Sequence, residues 1–333
     1  MRSLLLLLLL ASPWVSTVAE EAKIDPPPKG FKSPAAVKLA LIAGRVPLID
    51  TRLETPKTVS VEKGIEYGKN AGRALNLDLY SPKETKEPRA GLVFIHGGAW
   101  RSGKRGDYHF YGVKFAEAGY VVATITYGLA PTHPFPAAIH DAKCAVRWMR
   151  KNAKKLGVDP TRLGVVGGSA GGHLALLVGY TADVKELEGN CGHAGVSSRV
   201  QAVVDIYGPT DLTTSFATGH SSVIDFLGGK KIDEARPTYE LASPITHLDA
   251  KDPPTLILHG TIDEVVPIAQ ADALAKKLKE LKVPHEYDRL EGWPHAMDIA
   301  KSVNRRGRQL MLRFFSKHLA APKKKDAASN SAR

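Results

Sequence analysis

The chain has 333 residues, 43% of them hydrophobic, a formal net charge of +12 and two cysteines. That length can bury a full core, as one large domain or two smaller ones, and the composition excludes a disordered, collagen-like or coiled-coil protein. The positive charge is scattered, with a cluster in the tail KKKDAASNSAR, and no recognition motif or aromatic-interleaved basic stripe accompanies it. A surface with a taste for acidic polymers or anionic envelopes is expected, and nucleic-acid binding is not.

The chain opens on MRSLLLLLLLASPWVSTVA: Arg2, a seven-leucine run, then small residues ending at Ala19. This reads as an export signal cleaved after Ala19, giving a secreted or periplasmic protein. The apolar run is too short to cross a bilayer, which needs about 20 residues, and no later segment is apolar enough to span. Cleavage would remove only Arg2 among the charges and leave +11. Residues 20–56, rich in Pro and Lys, read as a linker with one short helix near AAVKLALIAG.

From residue 57 the pattern becomes regular. TVSVEKGIEYG and ALNLDLY alternate with period two and predict two opening strands, while GLVFIHGG and YVVATITYG predict short, fully buried ones. In PAAIHDAKCAVRWMRKNAKKLG, residues Ile139, Ala142, Val146, Met149, Ala153 and Leu156 recur every three or four positions, one stripe of a helix that Gly157 ends. Cys144 and Trp148 lie on the opposite side, so something else packs there, and the loop holding Cys191 is one candidate. A Cys144–Cys191 disulfide is the hypothesis this suggests, since an exported protein meets an oxidising compartment.

Strand and helix patterns then alternate: RLGVVGG, AGGHLALLVGYTA, VQAVVDIYG, PTLILHG, PIAQADALAKKLKELK, HEYDRLEG, and a closing helix through RRGRQLMLRFFSKHL. Such alternation implies crossovers and a mostly parallel α/β sheet covered on both faces. Ligands in such sheets bind beyond the carboxyl ends of the strands, so residues just after the strands deserve inspection.

Four strand ends carry reactive groups: HGGAW (His96–Trp100), GGSAGG around Ser169, Asp263 in LHGTIDEVVP, and His295 in EGWPHAMD. Gly167-x-Ser169-x-Gly171 matches G-x-S-x-G, a strand-to-helix turn that exposes a serine hydroxyl and demands small neighbours. A lone serine is a poor nucleophile and needs a base, which in turn needs an orienting acid. The order Ser169, Asp263, His295 supplies both, each after a predicted strand. An attacked carbonyl also needs N–H donors for its developing charge; Ala170 and the Gly97, Gly98 and Ala99 loop are the expected sources.

Rival groups read differently. His285, His259 and His173 are expected to be packed or structural; Asp252 precedes its strand, Glu264 is a second choice for the acid, and Asp211 is a turn residue. GAWRSGK, Gly98 to Lys104, fits a phosphate-loop frame, but Arg105 stands where magnesium binding wants Ser or Thr. Trp100, Tyr127, Leu129 and Tyr207 follow strands at the same edge and are expected to line an acyl or alcohol pocket, with core packing the alternative for each.

These motifs, together with SPITHL, resemble the α/β-hydrolase superfamily over roughly residues 57–320. Within it the chain is similar to the secreted esterase/lipase group that includes acetyl xylan and feruloyl esterases, and to the hormone-sensitive-lipase-like carboxylesterases. The resemblance implies a Ser169–Asp263–His295 triad acting on short-chain or carbohydrate esters, with no cofactor and no metal. Ala99 departs from the lipase-like pattern, where a third glycine is common. No long helical lid is evident between Gly208 and Pro254, and residues 321–333 read as a disordered basic tail. Two alternatives stay open: a peptidase related to the prolyl oligopeptidases, against which the absence of room for a propeller in residues 20–56 counts, and a catalytically silent hydrolase fold used for binding.

Overall fold

The two alternating stretches pair as an antiparallel ribbon, β1 (Val59–Asn70) with β2 (Arg73–Pro82), in a computed structural model that describes residues 23–84 and 87–321. The export signal expected over 1–19 lies outside the described residues, as does the expected tail beyond Ala321. Leu75, Leu77 and Leu79 of β2 face inward, as period-two patterning requires. The apolar runs become β3 (Arg89–Ile95) and β4 (Val121–Ile125), whose residues are buried almost throughout because helices cover both faces. β5 (Val158–Gly168), β6 (Ala202–Ile206), β7 (Thr255–Gly260) and β8 (His285–Leu290) complete an eight-stranded sheet of order β1-β2-β4-β3-β5-β6-β7-β8. β2 joins β4 antiparallel, and every pair from β4 to β8 is parallel.

The winding reverses between β3 and β5, so the loops after these strands diverge and open a crevice at their carboxyl ends. One face is covered by α2 (His109–Glu117) and α11 (Lys301–His318), the other by α3 (Ala137–Lys151), α5 (Ala170–Tyr180) and α10 (Ala269–Glu280), while α1 (Pro34–Ile42) precedes the sheet. The short α4 (Ala153–Leu156) ends at Gly157, which takes the left-handed conformation of a helix stop. Between β6 and β7 the chain makes four short helices rather than one long lid: α6 (Ser215–Thr218), α7 (Ser221–Phe226), α8 (Ile232–Leu241) and α9 (Pro244–His247). No helix among the described residues is long and apolar enough to cross a membrane.

α3 is buried on nearly every side. Its outer face meets the loop after α5, where Cys144 and Cys191 are joined as a disulfide with Cα atoms 6.1 Å apart. Glu188 of the same loop pairs with Lys143 and Arg147, both at 2.7 Å.

Residues 23–56 depart from the expected linker. Ile24, Phe31, Val46, Ile49 and Leu53 pack on the α2/α11 side of the core, and Asp25 pairs with Arg305 of α11. This segment is a strap laid along the body. Its Pro and Lys content suggests a linker because its partners lie far away in sequence, Pro28 and Trp293 by 265 residues, beyond the reach of local pattern.

Candidate active site

β5 ends at Gly168 and α5 begins at Ala170, so Ser169 alone makes the turn, with φ 57° and ψ −124°. Its N–H donates to Ile206 O at 2.9 Å, which ties the turn to β6. The glycine pairs follow from the crossing distance. A Cβ on Gly167 would lie 2.0 Å from Gly171 O, and one on Gly171 would lie 2.0 Å from Ile95 O. Only glycine lets the three backbones approach so closely.

Ser169 Oγ lies 3.0 Å from His295 Nε2, and His295 Nδ1 lies 2.7 Å from Asp263 Oδ2. The hydrogen-bond pattern assigns Nδ1–H to His295, donating to the carboxylate and leaving Nε2 free to accept from the serine hydroxyl. Asp263 Oδ1 accepts from the N–H groups of Val265 (2.8 Å) and Val266 (2.9 Å). Burial opposes charge on Asp263, yet hydrogen bonds from His259, His295 and Val266 outweigh it and hold the carboxyl down at about 2. Behind His295 stands Tyr207, ring centres 4.6 Å apart, its hydroxyl donated to Asp298. Asp298 also accepts from Tyr111 at 2.8 Å.

The HGGAW loop faces the serine. A Cβ on Gly97 would sit 2.8 Å from Gly168 O and 3.2 Å from Ser169 Cβ. Gly98 (φ +112°), Ala99 (+52°) and Trp100 (+56°) all have positive φ, and Gly98 O accepts from the N–H groups of Arg101 and Ser102, each at 3.0 Å. Ala99, Trp100, Ser169, Tyr207 and Ala296 are five of the eight non-glycine residues with positive φ among the described residues. All five lie in the loops that form this site, so backbone strain is concentrated where the side chains must be aimed.

Trp100 Nε1–H donates to His173 Nδ1 (3.2 Å), and His173 donates in turn to Ala242 O (2.7 Å). Burial lowers the His173 pKa to about 4, keeping the imidazole neutral for this relay. The bridge fixes the HGGAW loop to the segment of short helices. Between them opens a small pocket, continuous with solvent and lined mainly by Ala99, Trp100, Phe216, Val223 and Val266, with His220 at the polar side.

Of the residues expected to line a pocket, Trp100 does so. Tyr127 does not: it is buried, stacked on His96 with ring centres 4.3 Å apart, and donates its hydroxyl to His96 O (3.0 Å). Leu129 packs against the core, and Tyr207 backs His295 rather than facing the pocket. A strand-end position fixes the edge a residue occupies but not which way its side chain turns. His285 donates to Val283 O near the far end of the sheet, Asp252 also lies before β7, Glu264 is exposed, and Asp211 accepts from Thr213 N in a turn. In the phosphate-loop frame, Lys104 N–H donates to Asp107, and the neighbouring Arg105 pairs with Asp78 at 2.6 Å. His259 and Asp298 were not singled out for the site in the sequence; a histidine and an aspartate at i−4 and i+3 from the key residues are the signal that was there to read.

A helix-flanked, mostly parallel sheet with a serine elbow after β5, an aspartate after β7 and a histidine after β8 defines an α/β-hydrolase. The chain belongs to the BD-FAE family, whose model matches residues 77–278. It is 35% identical over 247 residues to a probable carboxylic ester hydrolase, LipM, and 34% identical over 239 residues to the esterase LipC, both of Mycobacterium tuberculosis. These alignments cover 72% and 70% of this chain and 57% and 59% of those proteins, so the chain spans somewhat over half the length of the curated relatives it matches. Among solved structures it is similar to a truncated carbohydrate esterase from gut microbiota, with TM-score 0.70, 28% identity, and 80% of this chain and all of that one covered. The apo form of esterase 2 from Thermogutta terrifontis matches with TM-score 0.66 and 27% identity, covering 83% of this chain and all of that one.

Proposed function

We propose that the protein is a serine carboxylic-ester hydrolase for short-chain esters, and the observation that carries this is the relay Ser169 Oγ–His295 Nε2 (3.0 Å) and His295 Nδ1–Asp263 Oδ2 (2.7 Å). In this reading His295 takes the Ser169 proton as Oγ attacks the ester carbonyl, and the resulting imidazolium sits against the Asp263 carboxylate. The backbone N–H of Ala170 and those of Gly98 and Ala99 meet the oxyanion, with Gly97 allowing the close approach. His295 then protonates the departing alcohol oxygen. Water, losing a proton to the same nitrogen, cleaves the acyl-enzyme and returns Ser169. Each donor of this kind contributes on the order of 10² to 10³ in rate.

The pocket supports the substrate class. Its walls beside Ser169 are mainly apolar, formed by Ala99, Trp100, Phe216, Val223 and Val266, which suits a small acyl group. The likeness to a carbohydrate esterase supports an acetylated or feruloylated carbohydrate as the physiological ester. The amino-terminal leader supports export, and the Cys144–Cys191 disulfide fits an oxidising compartment.

The test is hydrolysis of p-nitrophenyl esters from acetyl to dodecanoyl by wild type and Ser169→Ala. Short-chain activity that the substitution abolishes is expected. Activity that survives in Ser169→Ala, or a preference for dodecanoyl over acetyl, would overturn the reading.

A further inference from the structure

The strap presses on the loop that carries His295. A Cβ on Gly30 would sit 2.0 Å from Glu291 O, and one on Gly292 would sit 2.5 Å from both Phe31 N and Phe31 O. Phe31 N–H donates to Gly292 O (2.8 Å) and Trp293 Nε1–H to Pro28 O (3.0 Å). The Phe31 ring meets Trp293 edge-on, with centres 5.5 Å apart.

The opposite side of the same loop rests on the turn that carries Asp263. Gly292 N–H donates to Thr261 Oγ1 (2.8 Å) and Ile262 N–H to Trp293 O (3.2 Å). A Cβ on Gly260 would lie 2.0 Å from Trp293 O. Gly292 and Trp293 are therefore clamped between the Asp263 turn and the strap, three and two residues before His295. Past His295 the strap grips again: Ile49 N–H donates to Ile299 O (2.9 Å), Lys301 N–H to Pro47 O (2.8 Å), and Leu48 pairs antiparallel with Ala300. Between the two grips Ala296 holds φ +56°, a conformation that relaxes unless its surroundings over-determine it.

We propose that Gly30 and Phe31 are positioning residues for His295: the amino-terminal strap sets the height of the histidine loop against the Asp263 turn, and so the alignment of imidazole, carboxylate and Ser169. This rests on the esterase reading above. The family match, 77–278, stops short of both the strap and the histidine loop. A misplacement of about 1 Å costs on the order of 100-fold in rate, which makes a backbone clamp at this place consequential.

The experiment compares full-length Gly30→Ala, Phe31→Ala and Phe31→Leu with Leu319→Ala, a core truncation at the opposite end of the sheet. Each is assayed with p-nitrophenyl acetate at a temperature where circular dichroism shows it folded, and amide hydrogen exchange is followed over residues 293–299. The clamp predicts that kcat falls about 10- to 100-fold in Gly30→Ala and Phe31→Ala with KM within about threefold. Phe31→Leu should recover most of the loss, and Leu319→Ala should lower Tm but keep kcat. Exchange in 293–299 should quicken only in the two damaging variants. Wild-type kcat per folded molecule in Gly30→Ala and Phe31→Ala, with only Tm reduced, would overturn the clamp. A wild type inactive on every ester would sink the esterase reading instead; exchange would still decide the clamp, since unchanged exchange in both variants overturns it.

Discussion

His259 Nε2 lies 3.3 Å from Asp263 Oδ2, the same oxygen that meets His295 Nδ1 at 2.7 Å. The same nitrogen donates its hydrogen to Val266 O at 2.9 Å, so His259 braces the turn that holds the carboxylate and stands against the carboxylate itself. The proposed acid is thus aimed from two sides. Asp263→Asn should lower kcat about 10³- to 10⁴-fold with little change in KM, because the amide favours the wrong imidazole tautomer, as it does in serine proteases. His259→Gln should cost about tenfold, since the Val265 and Val266 N–H groups still hold the carboxylate. Steady-state kinetics on p-nitrophenyl acetate decide this, and equal losses in the two variants would refute the division of roles.

Two buried groups give opposite pH signatures. The His173 pKa is lowered to about 4 by burial, so its stabilising contribution is present above about 6.5 and is lost as pH falls towards 4. Asp205, fully buried on β6, is raised to about 7 by that burial, against the opposing pull of His259 and the Gly208 N–H. Its contribution is therefore present below about 4 and lost as pH rises through 7. Urea unfolding at pH 4.5 and pH 8 should show the deficit of His173→Gln relative to wild type shrinking at the lower pH by about 3 kcal/mol. Asp205→Asn should gain on wild type at the higher pH by a similar amount. Differences that do not change with pH would place the titrations elsewhere.

In the proposed reading, chain-length preference is set by the pocket wall. Val223 is buried and lines the pocket beside Phe216 and Trp100. Val223→Phe should reduce kcat/KM for hexanoyl esters about tenfold more than for acetyl esters, the scale on which apolar pockets discriminate size. A uniform loss across the series would mean that Val223 does not bound the acyl chain.

The Cys144–Cys191 link closes a loop with a sequence separation of 47 and pins α3 to the segment after α5. By loop entropy it stabilises by about 4 kcal/mol. Unfolded, unreduced protein should show no free thiol, and unfolding in dithiothreitol should shift to lower urea. Two free thiols without reductant would contradict the link.

Much of this was readable in the sequence because the determinants are local. Period-two strands, the striped α3 and the apolar runs of β3 and β4 each carry their own signal, and strand–helix alternation fixes a parallel sheet. Ser169, Asp263 and His295 were legible as strand-end residues in a fixed order, and the fold brings them within hydrogen-bond reach. What escaped depends on where side chains turn and on distant partners. Tyr127 follows β4 at the site edge but rotates inward to stack on His96. Tyr207 takes its place behind His295 through Asp298, whose own sequence neighbourhood says nothing of β6. The strap is the extreme case: DPPPKGF carries no regular pattern, and its fit is visible only when Gly30 meets Gly292 across the folded molecule.

The most direct test of the central claim is intact-mass and peptide-mass analysis after treatment with a p-nitrophenyl phosphonate, on wild type, Ser169→Ala and His295→Ala. The account predicts one stoichiometric adduct on the peptide holding Ser169 in wild type, none in Ser169→Ala, and labelling slowed by at least about 100-fold in His295→Ala. An adduct on another residue, or labelling of Ser169 at an unchanged rate without His295, would contradict it.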